Sequence, residues 1–249
     1  MQIASIGSGV TTLINKEVET SVQKLMFRLS LASVLPIVTL AEVKAALTAL
    51  IGGAKITATF EDTLTPWQDI SLLNLCEMAA NNDGMVVLTS DGVTLSGLFS
   101  LEVSNDGALR LSDNKKLVIN ITNKVSLSTM DIYAMDDPRD AKTLMISETK
   151  FLNAATEKDF STEKYDVLTL PIENITNVKL FYNNGRLVTM GKEEVRQAML
   201  DSQDPIISAN QKIFFGYCNQ ANISIEQCWR VQVTLDASTT IFMTKTVNL

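Results

Sequence analysis

The chain has 249 residues, 46% apolar and 20% charged, with 21 basic against 28 acidic side chains and a net charge of −7. This is globular composition, long enough for one large domain or two small ones, and it excludes a disordered chain. It has no histidine, which removes the commonest general base, metal ligand and pH switch and disfavours histidine-dependent triads, dyads and most zinc sites.

Residues 1–20 mix small polar residues with Ile3, Ile6, Val10, Leu13, Ile14 and Val18, and Gly7-Ser8-Gly9 argues against one long helix. Residues 1–23 are read as an N-terminal arm, either frayed or gripping a neighbouring subunit or a membrane surface. Phe27, Leu29 and Leu31 alternate with polar residues and predict a half-buried strand. Ala41 to Leu50 carries helical spacing, stopped by Gly52-Gly53. Lys55 to Phe60 reads as a strand. Thr65 can then cap a helix with Pro66 at its first position, running to about Ala80 along Leu72, Leu75 and Ala79.

Short strands follow at Met85 to Thr89, Val93 to Leu95, Leu98 to Val103 and Ala108 to Leu111. Asp91-Gly92 and Asn105-Asp106-Gly107 supply hairpin chemistry between them. Leu117 to Thr122 alternates cleanly, and Val125 to Tyr133 closes this half. Asp136-Asp137-Pro138-Arg139-Asp140 breaks the pattern, and the polar stretch 141–163 is read as a linker. Tyr165 to Leu170, stopped by Pro171, opens the second half. Val178 to Tyr182 meets Asn183-Asn184-Gly185, the strongest hairpin signal in the chain, and Arg186 to Met190 returns. A helix from Lys192 to Ser202 precedes strands at Lys212 to Tyr217, Trp229 to Leu235 and Thr240 to Val247.

The chain thus repeats itself: a strand, a capped helix and closing strands near 54–134 return near 176–246, 122 residues on at Val178 and 112 on at Trp229. That period is the size of a small β domain, too long for a solenoid. A doubly wound α/β fold would need a helix after nearly every strand. The expected fold is all-β with a few short helices, as two tandem eight-stranded jelly-roll barrels over 24–140 and 164–249.

Few residues invite chemistry. Cys76 reads as a buried thiol, while Cys218 and Cys228 are ten apart and could pair across a ladder; an odd, sparse count is no disulfide framework. Asp131, Asp136, Asp137 and Asp140 could hold calcium but match no calcium loop, so a solvated turn is expected. The neighbours Glu61 and Asp62, like Glu193 and Glu194, point apart and make poor acid/base pairs. Asn120, Asn174 and Asn222 head glycosylation-type triplets without a secretion signal, and Leu29 to Leu40 is interrupted by Pro36 and too short to span a bilayer. A soluble protein made in a reducing cytoplasm is expected. Trp67 and Trp229 read as core or interface aromatics. No catalytic, cofactor or metal residue is assigned. No Lys or Arg run exceeds two, as at Lys115-Lys116, so no specific nucleic-acid contact is expected.

Ile175-Thr176-Asn177-Val178-Lys179-Leu180, then Asn183-Asn184-Gly185-Arg186-Leu187, then the helix near Glu194 to Leu200 resembles a segment of corticovirus-like major capsid proteins. The doubled architecture over about 24–247 is similar to the double jelly-roll capsid proteins of tectiviruses, corticoviruses and adenoviruses. The first half departs from the segment, with Glu61-Asp62-Thr63 in place of Asn-Gly-Arg and an added helix at 41–50. The resemblance implies a non-enzymatic major capsid protein of an icosahedral bacteriophage, assembled in the host cytoplasm. It implies homotrimers that tile a virion shell beside neighbouring capsomers and minor capsid proteins, over an internal viral membrane in some members. The alternatives are a tandem β-sandwich binding module, such as a virion spike or carbohydrate-binding adhesin with Trp67 or Tyr217 exposed, and a minor vertex protein.

Overall fold

The computed structural model describes residues 1–33, 37, 39–83, 86–112, 114–153, 157–200, 207–208, 213–214 and 220–249. Its first elements are β1 (Gln2–Ile6), β2 (Leu13–Val18), β3 (Lys24–Ala32), α1 (Leu40–Ile51), β4 (Lys55–Phe60), β5 (Leu64–Ser71), α2 (Leu72–Asp83), β6 (Val87–Ser90), β7 (Thr94–Glu102), β8 (Leu117–Thr122) and β9 (Thr129–Met135). Then come β10 (Thr143–Leu152), β11 (Lys158–Ser161), β12 (Val167–Pro171), a 3-10 turn (Ile172–Asn174), β13 (Ile175–Tyr182), β14 (Leu187–Gly191) and α3 (Lys192–Leu200). The last are β15 (Ile207–Ser208), β16 (Ile213–Phe214), β17 (Gln220–Ser224), β18 (Cys228–Leu235) and β19 (Thr239–Asn248). The chain divides into two units: Met1–Ile146 with Pro205–Tyr217 and Val247–Leu249, and Ser147–Asp204 with Cys218–Thr246.

Among the described residues the second unit has eight strands, beginning with the part of β10 from Ser147 onward. One sheet runs β10-β19-β12-β17 and the other β11-β18-β13-β14. Counted in chain order, these are strands one-eight-three-six and two-seven-four-five. That is the strand order of a jelly roll, in which each sheet takes strands alternately from both ends of the chain segment. Inward-facing Leu168 and Leu170 of β12, Val178 and Leu180 of β13, Val231 and Val233 of β18, and Ile241 and Met243 of β19 fill the space between. Burying each side chain contributes about 1.5–3 kcal/mol.

The first unit keeps the jelly-roll frame and adds to it. β2-β8-β4 forms one sheet and β3-β7 the heart of the other. β5 turns straight back on β4, pairing Phe60 with Leu64 and Ala58 with Trp67. β1 and β9 extend the second sheet beyond β3, while β6 and then β16 extend it on the β7 side. Leu25, Phe27 and Leu29 face the core with Leu95, Phe99 and Leu101, Ile56, Ala58 and Phe60, and Ile119 and Ile121. Phe27 and Phe99 stack with centroids 5.0 Å apart. Helix α1 opens on a capping box: Thr39 Oγ1 accepts from the Glu42 amide at 3.3 Å, and the Thr39 amide donates to Glu42 Oε2 at 2.8 Å. Two orphan amides are thereby satisfied.

Several sequence expectations are corrected. Residues 1–23 are not a loose arm: β1 pairs with β9 and β2 with β8, burying Ile3, Ile6, Val18 and Val22. The stretch 141–163 carries β10 and β11, because alternating Leu144 and Ile146, then Leu152, point inward. Thr65-Pro66 opens no helix. Burial of Trp67 and Ile70 holds β5 as a strand, its Pro66 falling where the register shifts, and α2 begins at Leu72 with Ser71 Oγ accepting from the Asn74 amide at 3.4 Å. Val93 to Leu95 and Leu98 to Val103 form one strand, β7. Asn105-Asp106-Gly107 is not a hairpin but a close crossing of residues 139–140: Ala108 donates to the Arg139 carbonyl at 2.9 Å. The predicted strands at Leu117 to Thr122, Val178 to Tyr182 and Trp229 to Leu235, and the helices at Ala41 to Leu50 and from Lys192, lie where expected. The end of the last helix, and most of Lys212 to Tyr217, lie outside the described residues.

Candidate assembly surface

The outer face of β11-β18-β13-β14 in the second unit carries an exposed aromatic–arginine cluster. Strand alternation sends Val231, Val233 and Leu235 of β18 inward and Arg230, Gln232 and Thr234 outward. At Trp229 the register with β13 shifts, so that Phe181 faces Arg230 while Tyr182 faces Cys228. This bulge turns Trp229 outward beside Arg230 instead of into the core. Trp229 is 47% exposed, against 3% for Trp67. The Arg230 guanidinium lies 4.1 Å from the Phe181 ring centroid and 5.5 Å from that of Trp229, whose two rings are tilted at 5.8 Å. Leu187, directly across the ladder from Phe181, extends the apolar area.

A polar network frames this cluster. Arg230 Nε pairs with Asp159 Oδ1 at 3.1 Å. Lys179 Nζ donates to Gln232 Oε1 at 2.9 Å and to Glu157 Oε1 at 3.4 Å. Gln232 Nε2 donates to Glu157 Oε2 at 3.3 Å. An arginine beside two aromatic rings, rimmed by charged and polar groups, is the composition enriched where protein contacts carry most of their binding energy.

At the β10–β19 end of the same unit, Glu148 Oε1 accepts from Lys245 Nζ at 2.5 Å and Glu148 Oε2 from the Tyr165 hydroxyl at 2.7 Å. Lys150 and Lys245 lie 5.3 and 5.8 Å from the Tyr165 ring centroid. The hydrogen bonds from Lys245 and Tyr165 hold the Glu148 carboxyl below its usual range. Burial, with the Glu148 hydrogen bond, pushes the Tyr165 hydroxyl up to about 12. These shifts mark a structural ion network that ties β10 to β19.

The other candidate groups are dispersed or internally satisfied. Arg110 donates to Asp136 Oδ1 at 2.8 Å and Asp140 Oδ1 at 2.6 Å, and Arg139 pairs with Asp137 at 3.0 Å. Asp131 accepts from Ser5 at 2.6 Å, away from that loop. The four aspartates therefore do not converge, and no group of potential ligands gathers among the described residues. Glu193 pairs with Arg196, while Glu194 accepts from the Gly191 amide and caps α3. Glu61 and Asp62 turn the β4–β5 connection with φ of 51° and 56°. Asn120 and Asn222 side chains accept internal hydrogen bonds. Cys76 and Cys228 are buried free thiols, and burial raises both above the usual range; Cys218 and Tyr217 lie outside the described residues. Sequence reasoning named Trp229 but missed its partners, because the Phe181–Arg230 pairing spans 49 residues and depends on a bulge.

Two tandem β units, the second with strict jelly-roll strand order, define this chain as a double jelly-roll protein. Among solved structures it is similar to the major capsid protein P2 of bacteriophage PM2, with a TM-score of 0.55 at 8% identity over 99% of this chain and 96% of that one. The PBSX exported protein XepA aligns at a TM-score of 0.21 and 7% identity over 99% and 86%, too little to carry a statement about fold. No described protein family and no curated protein matches the sequence.

Proposed function

We propose that this chain is a capsid subunit that forms trimers and tiles an icosahedral virion shell. The observation that carries the reading is the two-unit jelly-roll fold, shared end to end with a phage major capsid protein. The physical logic is geometric. Three copies of a chain with two similar barrels give six roughly equivalent lobes, a tile for a near-hexagonal lattice. Contacts between unlike surfaces close after three steps, and many modest contacts sum to a stable shell. The face around Trp229, Arg230, Phe181 and Leu187 is the patch best built to bury against a second copy.

On this reading the protein has no catalytic role. Its partners are further copies, minor capsid proteins and, in some virions, an internal membrane, and the net charge of −7 limits association with the wrong polyanion. Light scattering and electron microscopy of purified protein test it: trimers and ordered sheets or shells are expected. A protein that stays monomeric at high concentration refutes it. The half-exposed Trp229 also suits a carbohydrate-binding module. That second reading predicts glycan binding lost in Trp229→Ala with no change in self-association, whereas buried Trp67 is unsuited to the role.

A further inference from the structure

The chain contains one Asn-Gly pair, Asn184-Gly185, and it lies in the turn between β13 and β14. Both residues are exposed. An asparagine carboxamide can be attacked by the backbone nitrogen of the next residue. The usual obstacle is that residue's Cβ, which crowds the nitrogen, and glycine has none. The surroundings are open as well: a Cβ built on Gly185 would meet no atom of the described residues within 4 Å. Asparagines in the strands are shielded by contrast. Asn120 in β8 and Asn222 in β17 are half-buried, and their side chains accept at 2.6 Å from the Asn15 amide and at 2.6 Å from the Thr169 hydroxyl. Each is followed by a β-branched isoleucine.

The turn geometry works in both directions. Asn184 Oδ1 accepts from the Arg186 amide at 3.0 Å, which folds the carboxamide back across Gly185 and draws electron density from its carbon. Against this, the Gly185 amide donates to the Tyr182 carbonyl at 3.0 Å, and the Tyr182 amide to the Arg186 carbonyl at 2.9 Å. The attacking nitrogen is therefore free only when the turn opens. That opening is local. Gly185 lies beyond the last ladder pair, Phe181 with Leu187, and β14 is a five-residue strand at the edge of its sheet. A turn so placed opens without unfolding the barrel beneath it.

We propose that Asn184 is a modification site at which the folded chain deamidates without an enzyme. The Gly185 nitrogen, losing its proton to hydroxide, bonds to Asn184 Cγ. The Cγ–Nδ2 bond breaks and ammonia leaves, closing a succinimide. Water then opens the ring, at Cγ to give aspartate or at the main-chain carbonyl of residue 184 to give isoaspartate. Either product adds a negative charge to a chain already at −7, in the turn that leads into Leu187 on the exposed aromatic–arginine face. Isoaspartate also lengthens the backbone of the turn, since the chain then runs through the former side chain. The test incubates the folded full-length protein in mildly alkaline buffer, cuts it with trypsin and follows the Leu180–Arg186 peptide by mass spectrometry. Labelling by an isoaspartyl methyltransferase is the second readout. Asn184 is expected to convert at least tenfold faster than Asn120 or Asn222, faster still as pH rises, with a methyl label that is lost in Asn184→Gln. Conversion at Asn184 in the urea-unfolded chain but not in the folded protein overturns the site, as does a folded-state rate no greater than at Asn120 or Asn222. Neither result turns on whether the chain builds a shell.

Discussion

Replacing Trp229 by alanine separates association from folding. Trp229 is 47% exposed, so of the roughly 250 Å² a tryptophan can bury, about 120 Å² remains free for a partner. At 25 cal/mol per Å² that is ~3 kcal/mol per contact, or roughly 100-fold in its association constant. Within the subunit the buried half of the ring packs beside Phe181 and Arg230, and losing it should cost roughly half as much as a core tryptophan, about 2 kcal/mol, a melting shift of roughly 4–8 °C. Sedimentation velocity across a concentration series reads the first quantity and a thermal melt the second. The control is Trp67→Ala, which empties a 3% exposed site and should cost about 3–5 kcal/mol of fold stability. Self-association unchanged by Trp229→Ala, with the melt also unchanged, refutes the claim that this face is buried in the assembly. A large loss of melting temperature refutes the separation itself.

Three further outcomes are expected. The Tyr165 hydroxyl, near 12 when folded against an ordinary 10.0, favours the folded state below pH 10 and loses that contribution as pH rises through 12. The depressed Glu148 carboxyl contributes above its ordinary 4.5 and loses it as pH falls through its folded value; tyrosinate absorbance in Glu148→Gln should show Tyr165 titrating closer to 10.0. Lys124→Met removes the ammonium that braces residues 125–128 and leaves buried oxygens unpaired, an expected loss of about 2–4 kcal/mol read by urea unfolding. Gly107→Ala would place a Cβ 2.7 Å from the Arg139 carbonyl oxygen and the Asp140 carbonyl carbon. Backbone cannot yield as a side-chain tip does, so unfolding should become easier by about 1–3 kcal/mol.

Local signals in the chain carried far. The alternation of Leu117, Ile119 and Ile121 fixes β8, and Gly185, at φ 81°, sits in the turn that Asn183-Asn184-Gly185 announces. Signals failed where burial overrode local chemistry. Thr65-Pro66 has the form of a helix start, but Trp67 and Ile70 gain more by facing the core from a strand. The first 20 residues look loose because Gly7-Ser8-Gly9 hides two strands whose partners lie far along the chain, at residues 117–133. The candidate surface was half legible. Trp229 stands in the sequence as a notable aromatic, but only the bulge opposite Tyr182 decides that it faces out, and no periodicity reports a bulge.

The sequence repetition is also not the structural one. It sets β4 against β13 and β8 against β18. Yet β4 lies beside β8 in the sheet that contains β2, as a third strand does, whereas β13 lies between β18 and β14 as a fourth. β8 occupies the place of a last strand and β18 that of a seventh. What recurs along the chain is local chemistry, an alternating strand followed by a turn and a short helix, and not a position in the barrel. The duplication becomes visible only in strand order, and there the units differ. The first has β1, β9 and β16 added along one sheet, while in the second the corresponding sheet ends at β11 and β14. Surfaces so different cannot replace one another in a ring of identical contacts. A chain of two unlike barrels can still occupy the six corners of a hexagonal tile if the contacts alternate between two kinds, and a closed ring of that sort has three-fold symmetry. On the proposed shell reading, the differences between the units therefore call for two alternating kinds of contact around the tile.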